Sequence, residues 1–199
     1  TILVYGGANM TLSATDVEMS VDAFIGADFV VAQLEVPFEA IEQAFKIARK
    51  QNITTVLNPA PAIELPKSLL ELTDIIIPNE TEAELLTGIS INNESDMKET
   101  ATYFLDLGIS AVLITLGEQG TYCAYQEQYK MIPACNVKAI DTTAAGDTFI
   151  GAFLSELNKD LSNLESAIRL ANQASSLTVQ RKGAQASIPT RKEVEGEYN

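Results

Sequence analysis

Short β-branched runs alternate with longer stretches of helical periodicity along this chain. That alternation narrows its fold more than any other feature. Phe29–Leu34 (FVVAQL), Thr54–Leu57, Ile75–Ile77 and Ala111–Thr115 (AVLIT) are continuous apolar runs, as is Thr1–Tyr5 (TILVY), which stops at Gly6-Gly7. Runs of this kind suit strands buried on both faces, as in a parallel sheet. Between them, Ile41, Ala44, Phe45 and Ala48, then Met97, Ala101, Phe104 and Leu105, recur at helical spacing. Strand–helix–strand repetition predicts an α/β fold, read as a three-layer α/β/α sandwich with a mostly parallel sheet. After Gly120 the pattern changes. Thr121–Tyr125 and Gln128–Ile132 predict a hairpin turning at Gln126-Glu127, an antiparallel edge to the sheet. Helices are then expected over Gly146–Leu157 and Leu164–Thr178. No linker, repeat or low-complexity tract divides the chain, so residues 1–199 are read as a single α/β portion. The polar end Glu193–Asn199 is expected to fray.

Composition closes off several function classes. The 199 residues carry 13 Lys and Arg against 27 Asp and Glu, a formal charge of −14. That balance argues against nucleic-acid or anionic-membrane partners, because nothing neutralises a phosphate backbone broadly. No apolar run approaches the ~20 residues that span a bilayer. With His 0, histidine triads and histidine-rich zinc sites are excluded, so a general base must be a carboxylate, lysine, cysteine or tyrosine. Cys123 and Cys135 form no disulfide framework or metal motif, and no signal-peptide pattern opens the chain. A reducing, cytoplasmic setting is expected.

Three strand-to-helix or strand-to-turn junctions hold chemically useful residues. Ala139–Phe153 (AIDTTAAGDTFIGAF) runs from a short extended piece through small residues into an apolar helix. Small residues let backbone amides approach a ligand, and Gly146 can take strained dihedrals. A helix N-terminus attracts anions, and Asp147 beside it could take a proton from a hydroxyl. The competing reading is a helix whose cap is Asp147. Asn79-Glu80-Thr81-Glu82 follows a strand directly, where open α/β sheets bind ligands; acids complementing a helix dipole would look the same. Thr115–Gly120 (TLGEQG) has two glycines for a tight turn with exposed donors, or is a plain β-turn. No Walker A or G-x-G-x-x-G motif occurs.

DTTAAGDTF resembles the DTxGAGD signature of the phosphofructokinase-B (PfkB) sugar kinases, with Ala144 at the first signature glycine, as in the ribokinase branch. LNPAPA at Leu57–Ala62, PNETEAELLTG at Pro78–Gly88, TLGEQG and RKGAQ at Arg181–Gln185 agree with that branch, so the resemblance runs from Thr1 to about Thr190. It implies ATP-dependent phosphorylation of a sugar primary hydroxyl, with D-ribose to D-ribose 5-phosphate preferred. Other sugars, sugar acids or nucleosides, and a non-catalytic nucleotide-binding chain, stay open. Asp147 would be the base, and the amides of Ala144, Ala145, Gly146 and Asp147 an anion hole. Asn79 and Glu82 would organise Mg²⁺ and the triphosphate. Thr115, Gly117, Glu118, Gln119 and Gly120 would form the nucleotide loop, with Asn172 at the adenine end. Glu35 would bind sugar hydroxyls, although a solvated strand-end acid competes. Asp141, Thr143, Thr178, Arg181, Gly183 and Ser187 would complete a K⁺ site, largely through carbonyls; otherwise these are ordinary loops with Arg181 and Lys182 solvated. The match is to the C-terminal two thirds of such kinases. The first strands of the sheet, a Gly-Gly-Lys segment and the β lid, through which complete members would dimerise, have no counterpart here. The chain alone is therefore expected to bind ATP weakly and to phosphorylate ribose poorly or not at all.

Overall fold

The computed structural model describes residues 6–196. The expected strand Thr1–Tyr5 lies outside them. The chain divides into two compact units, Thr1–Thr115 with Cys123–Tyr129, and Leu116–Tyr122 with Lys130–Asn199.

The first unit is built on parallel strands β1 (Phe29–Gln33), β2 (Thr54–Asn58), β3 (Ile75–Ile76) and β4 (Ala111–Thr115). Phe29 pairs with Thr54 through to Gln33 with Asn58, Val56 with Ile75, and Ile75 with Ala111. β5 (Thr121–Tyr125) and β6 (Gln128–Ile132) complete a six-stranded sheet in the order β1-β2-β3-β4-β5-β6. The apolar runs are strands because nearly every residue of β2 and β4 is buried, which only a sheet covered on both faces provides. The β5–β6 connection is two residues long, so the pair is antiparallel. Gln126 and Glu127 have φ of 49° and 61°, the left-handed pair that a tight hairpin turn needs to match strand twist.

Helix α2 (Phe38–Lys50) buries Ile41, Phe45 and Ala48 at the expected spacing and packs on β1 and β2. Arg49 and Lys50 in its last turn complement the dipole. Helices α4 (Glu80–Thr87) and α5 (Glu94–Asp106) pack against β4. Two short helices of this unit escaped the sequence reading. One is α1 (Ala14–Met19), closed by a reciprocal Ser13–Asp16 capping box and set beside α2; the other is the single turn α3 (Lys67–Leu70) after Pro66. Both are too short to show a 3.6-residue period.

The second unit centres on α6 (Ala145–Glu156) packed along α7 (Leu164–Thr178). The end of the chain departs from expectation. Arg191–Gly196 forms helix α8, whose Val194 is buried against Ala174 and Leu177. Glu193 accepts from the Thr190 backbone and hydroxyl and from Arg181, so a stretch that reads as polar is pinned.

Candidate active site

In the first unit the candidate residues leave the C-terminal ends of parallel strands. Asn79 caps α4: its Oδ1 accepts from the Glu82 amide at 2.8 Å, and the Asn79 amide donates to Glu82 Oε2 at 2.8 Å. Reciprocal capping of this kind is worth about 1 kcal/mol and fixes both side chains. Glu82 is only 6% exposed, and burial raises its carboxyl pKa despite the opposing Asn79 bond. Asn79 bridges Thr115, whose amide donates to the Pro78 carbonyl at 2.9 Å. These three residues are thus brought together. Glu35 sits exposed in the turn after β1.

Sequence reasoning overlooked the groups that tie these strand ends. Gln33 Nε2 donates to Asn58 Oδ1 at 2.7 Å, and Asn58 Nδ2 donates to the Ile77 carbonyl at 2.7 Å. This relay crosses β1, β2 and the end of β3, and sets where Glu35 and Asn79 emerge. The signal was an amide closing an otherwise buried strand, which needs a partner once buried.

In the second unit, Leu116–Gly120 closes on itself, with the Leu116 amide donating to Gly120 O at 2.8 Å. Gly117, Glu118 and Gln119 form an exposed 3₁₀ turn, while Gly120 is buried. Asn172, expected at the adenine end, is only 6% exposed. Its Oδ1 accepts from Thr121 Oγ1 (2.8 Å), and its Nδ2 donates to the carbonyls of Ile132 (3.0 Å) and Pro133 (3.3 Å). The carboxamide therefore holds the base of the hairpin to α7.

At the start of α6 the left-handed residue is not the glycine. The left-handed φ, 62°, belongs to Ala144, the N-cap, and Gly146 is helical. Asp147 is not the cap; it lies exposed in the first turn, and the N-cap residue, Ala144, makes no side-chain cap bond. The Ala145 amide donates to the Thr142 carbonyl at 3.2 Å. A Cβ on Gly146 would meet nothing within 4 Å, so the protein does not itself demand glycine there. A helix start whose N-cap residue carries no capping side chain, with a carboxylate in its first turn, can receive an anion and accept a proton.

Asp141 gathers part of the expected cation cage. Its Oδ1 accepts from Thr143 N (3.0 Å) and Oγ1 (2.6 Å), and its Oδ2 from Gly183 N (3.0 Å). The Thr143 hydroxyl, then the Gly183 and Thr143 amides, lower its pKa from 3.8 to about 2. The Thr178 carbonyl accepts from the Arg181 amide, and the buried Ser187 hydroxyl donates to Ala184 O at 2.6 Å. Arg181 is not simply solvated: its guanidinium pairs with Glu193 at 2.7 Å. No cluster of three or more His, Cys, Asp or Glu side chains suited to a metal occurs among the described residues.

The chain and its fold match known proteins. The pfkB family carbohydrate kinase model fits residues 1–191. The chain belongs to that family. It is 64% identical over 194 residues to the ribokinase of Staphylococcus aureus (strain COL), covering 98% of this chain and 64% of that protein. It is 52% identical over 193 residues to the bifunctional ribokinase/ribose-5-phosphate isomerase A of Fructilactobacillus sanfranciscensis, covering 97% of this chain and 36% of that one. The solved structure of Arabidopsis thaliana ribokinase complexed with ribose and ATP superposes with a TM-score of 0.87 at 32% identity, over 98% of this chain and 64% of that one. The mostly parallel α/β sheet of this family member is the one its sequence predicts. The chain spans less than two thirds of the length of these curated relatives.

Proposed function

We propose that this chain is the nucleotide-binding and catalytic portion of an ATP-dependent kinase that phosphorylates the primary hydroxyl of D-ribose. One observation carries the reading: the first turn of α6, whose N-cap residue carries no capping side chain, with exposed Asp147 beside Gly146, lies in the DTTAAGD segment of a PfkB member. Likeness to ribokinases, one of them bound to ribose and ATP, supports the choice of substrates.

Asp147 takes the proton of the hydroxyl as its oxygen attacks the γ-phosphorus. The bond from that phosphorus to the β–γ bridging oxygen breaks, and ADP leaves. Amides of the turn at Ala144, Gly146 and Asp147 meet charge on the transferred group, a preorganised contribution, while the Ala145 amide ties the turn to the Thr142 carbonyl. Glu35 binds sugar hydroxyls, and Gly117–Gly120 with Thr115 holds the nucleotide. Asn172 supports that loop through its bonds to Thr121 and the hairpin base.

Two cations belong to the proposal. Mg²⁺ would neutralise phosphate charge when bound. Asn79 and Glu82 fit it, because the capping box uses one Glu82 oxygen and magnesium keeps most of its waters. K⁺ would be held by Asp141 and the carbonyls of the loops bearing Thr143, Thr178, Arg181, Gly183 and Ser187. An ionised carboxylate has about four acceptor sites, and Asp141 uses three, so one suits a weakly hydrated cation. A cytoplasmic setting, and a homodimer through segments beyond this chain, complete the reading. Among the described residues no helix is long and apolar enough to cross a membrane.

A second reading is ATP binding without transfer. The test is ribose-dependent ADP formation by the whole polypeptide that carries this chain. Asp147→Asn should lower kcat by about 10²–10⁴ while ATP still binds. Unchanged turnover would remove Asp147 from the chemistry, and ATP binding with no turnover in the unsubstituted protein would leave the second reading.

A further inference from the structure

Helix α7 carries several hydroxyls, and they behave differently. Ser176 Oγ donates to the Asn172 carbonyl at 2.7 Å, the local back-bond expected of a hydroxyl inside a helix. Ser175 departs from that habit. Its Oγ donates across to the carbonyl of Ala145, in the first turn of α6, at 2.8 Å. One turn further along, the buried Thr178 hydroxyl is shared between Thr148 Oγ1 of α6 at 3.1 Å and the Ala174 carbonyl at 3.2 Å. The residues that α7 grips, Ala145 and Thr148, bracket Gly146 and Asp147 on either side. The N-cap below them, Ala144, has a left-handed φ and no side-chain cap. Local sequence therefore does little to set the direction of this turn.

We infer that Ser175 and Thr178 are positioning residues for the phosphoryl-transfer turn: two hydroxyls one helical turn apart on α7 fix the first turn of α6, and with it the Gly146 amide and the Asp147 carboxylate. The inference rests on the proposed kinase reading for its catalytic consequence, and on the two cross-helix bonds for its geometry. Misplacing an anion hole or base by a fraction of an ångström acts on the transition state more than on ground-state binding. Loss of the Ser175 bond should therefore appear in kcat rather than in KM.

The test uses the whole polypeptide that carries this chain, with Ser175→Ala, Ser175→Thr and, as a control, Ser166→Ala, whose hydroxyl bonds only the Asn163 carbonyl. Ser175→Ala should lower kcat roughly 3- to 10-fold, with KM for ribose and ATP and the melting temperature near their original values. It should also speed exchange of the Thr148 and Phe149 amides. Ser175→Thr, which keeps the hydroxyl, should restore both, and Ser166→Ala should change neither. Unaltered exchange and unaltered kcat in Ser175→Ala would overturn the inference. So would a fall in kcat that Ser175→Thr does not rescue, or one matched by a fall in melting temperature. Asp147→Asn, run alongside, separates the two claims. Full activity there removes Asp147 from the chemistry, and no ribose-dependent turnover in the unsubstituted protein sinks the kinase reading, while the exchange data still decide whether Ser175 holds the turn.

Discussion

Ala144 holds a φ of 62° where the family signature has glycine. A Cβ in the left-handed region costs roughly 1–2 kcal/mol, which glycine avoids at some entropic cost. Ala144→Gly should therefore stabilise the protein by about 0.5–1 kcal/mol, read as a higher urea midpoint at constant slope; a lower midpoint would mean the turn does not need that conformation. Gly120 is the opposite case. Its φ is 110°, and a Cβ there would lie 2.2 Å from the Ile132 carbonyl and 2.6 Å from the Ala134 amide. The atoms in the way are backbone and cannot rotate aside. Gly120→Ala should destabilise by more than the ~1–3 kcal/mol of dihedral strain alone and disorder the loop Gly117–Gly120. A melt together with nucleotide titration checks both effects.

At the scale of elements, α5 contains a local mismatch. Met97, Thr100, Ala101 and Phe104 form its buried face, and Thr100 Oγ1 is buried without a hydrogen-bond partner. Leaving a hydroxyl in that state costs about 1–3 kcal/mol. Thr100→Val keeps the shape and removes the orphan, so chemical denaturation should show a gain of that order; a loss would show that the hydroxyl has a partner in solution. Helix α2 shows the consistent case. Phe45 is fully buried within a cluster containing Leu34, Ile41, Leu57 and Leu69. Phe45→Ala should cost about 3–5 kcal/mol through lost transfer energy and a residual cavity.

For the whole molecule, pH response follows from groups with shifted pKa values. Asp141 and Glu193 both fall to about 2, from 3.8 and 4.5; the causes are the Thr143 hydroxyl for Asp141 and the Thr190 amide for Glu193. Their folded values lie below their unfolded ones, so the stability they supply is present above about pH 4.5 and is lost as pH falls towards 2. Glu82 runs the other way, since burial raises its pKa and its charged form opposes folding as pH rises. Melting temperatures should therefore drop between pH 4.5 and 2, and Asp141→Asn should flatten part of that slope. A slope indifferent to Asp141→Asn would place the acid sensitivity elsewhere. Exchanging K⁺ for Na⁺ at equal ionic strength should lower turnover of the whole polypeptide and leave the fold unchanged. Equal rates would remove the Asp141 cage from the proposal.

The strands, the long helices and the hairpin were legible in sequence because burial on both faces, helical periodicity and a two-residue turn are written in neighbouring residues. The positions of Asp147, Asn79 and Glu82 at strand ends and helix starts were legible for the same reason. What the tertiary structure alone decided depends on partners distant in sequence. Asn172 reads as a surface amide until Thr121 and the Ile132 and Pro133 carbonyls occupy it, 51, 40 and 39 residues away. Ser175 reads as an ordinary helical hydroxyl until it meets Ala145, 30 residues earlier. The left-handed φ at Ala144, and the pinning of α8 by Arg181 and Val194, belong to the same class. Local pattern determines which segments become strands and helices, because backbone hydrogen bonding and side-chain period are short-range. Which polar atoms are satisfied, and by whom, is settled only when packing removes water and leaves each buried group to the neighbours the fold supplies.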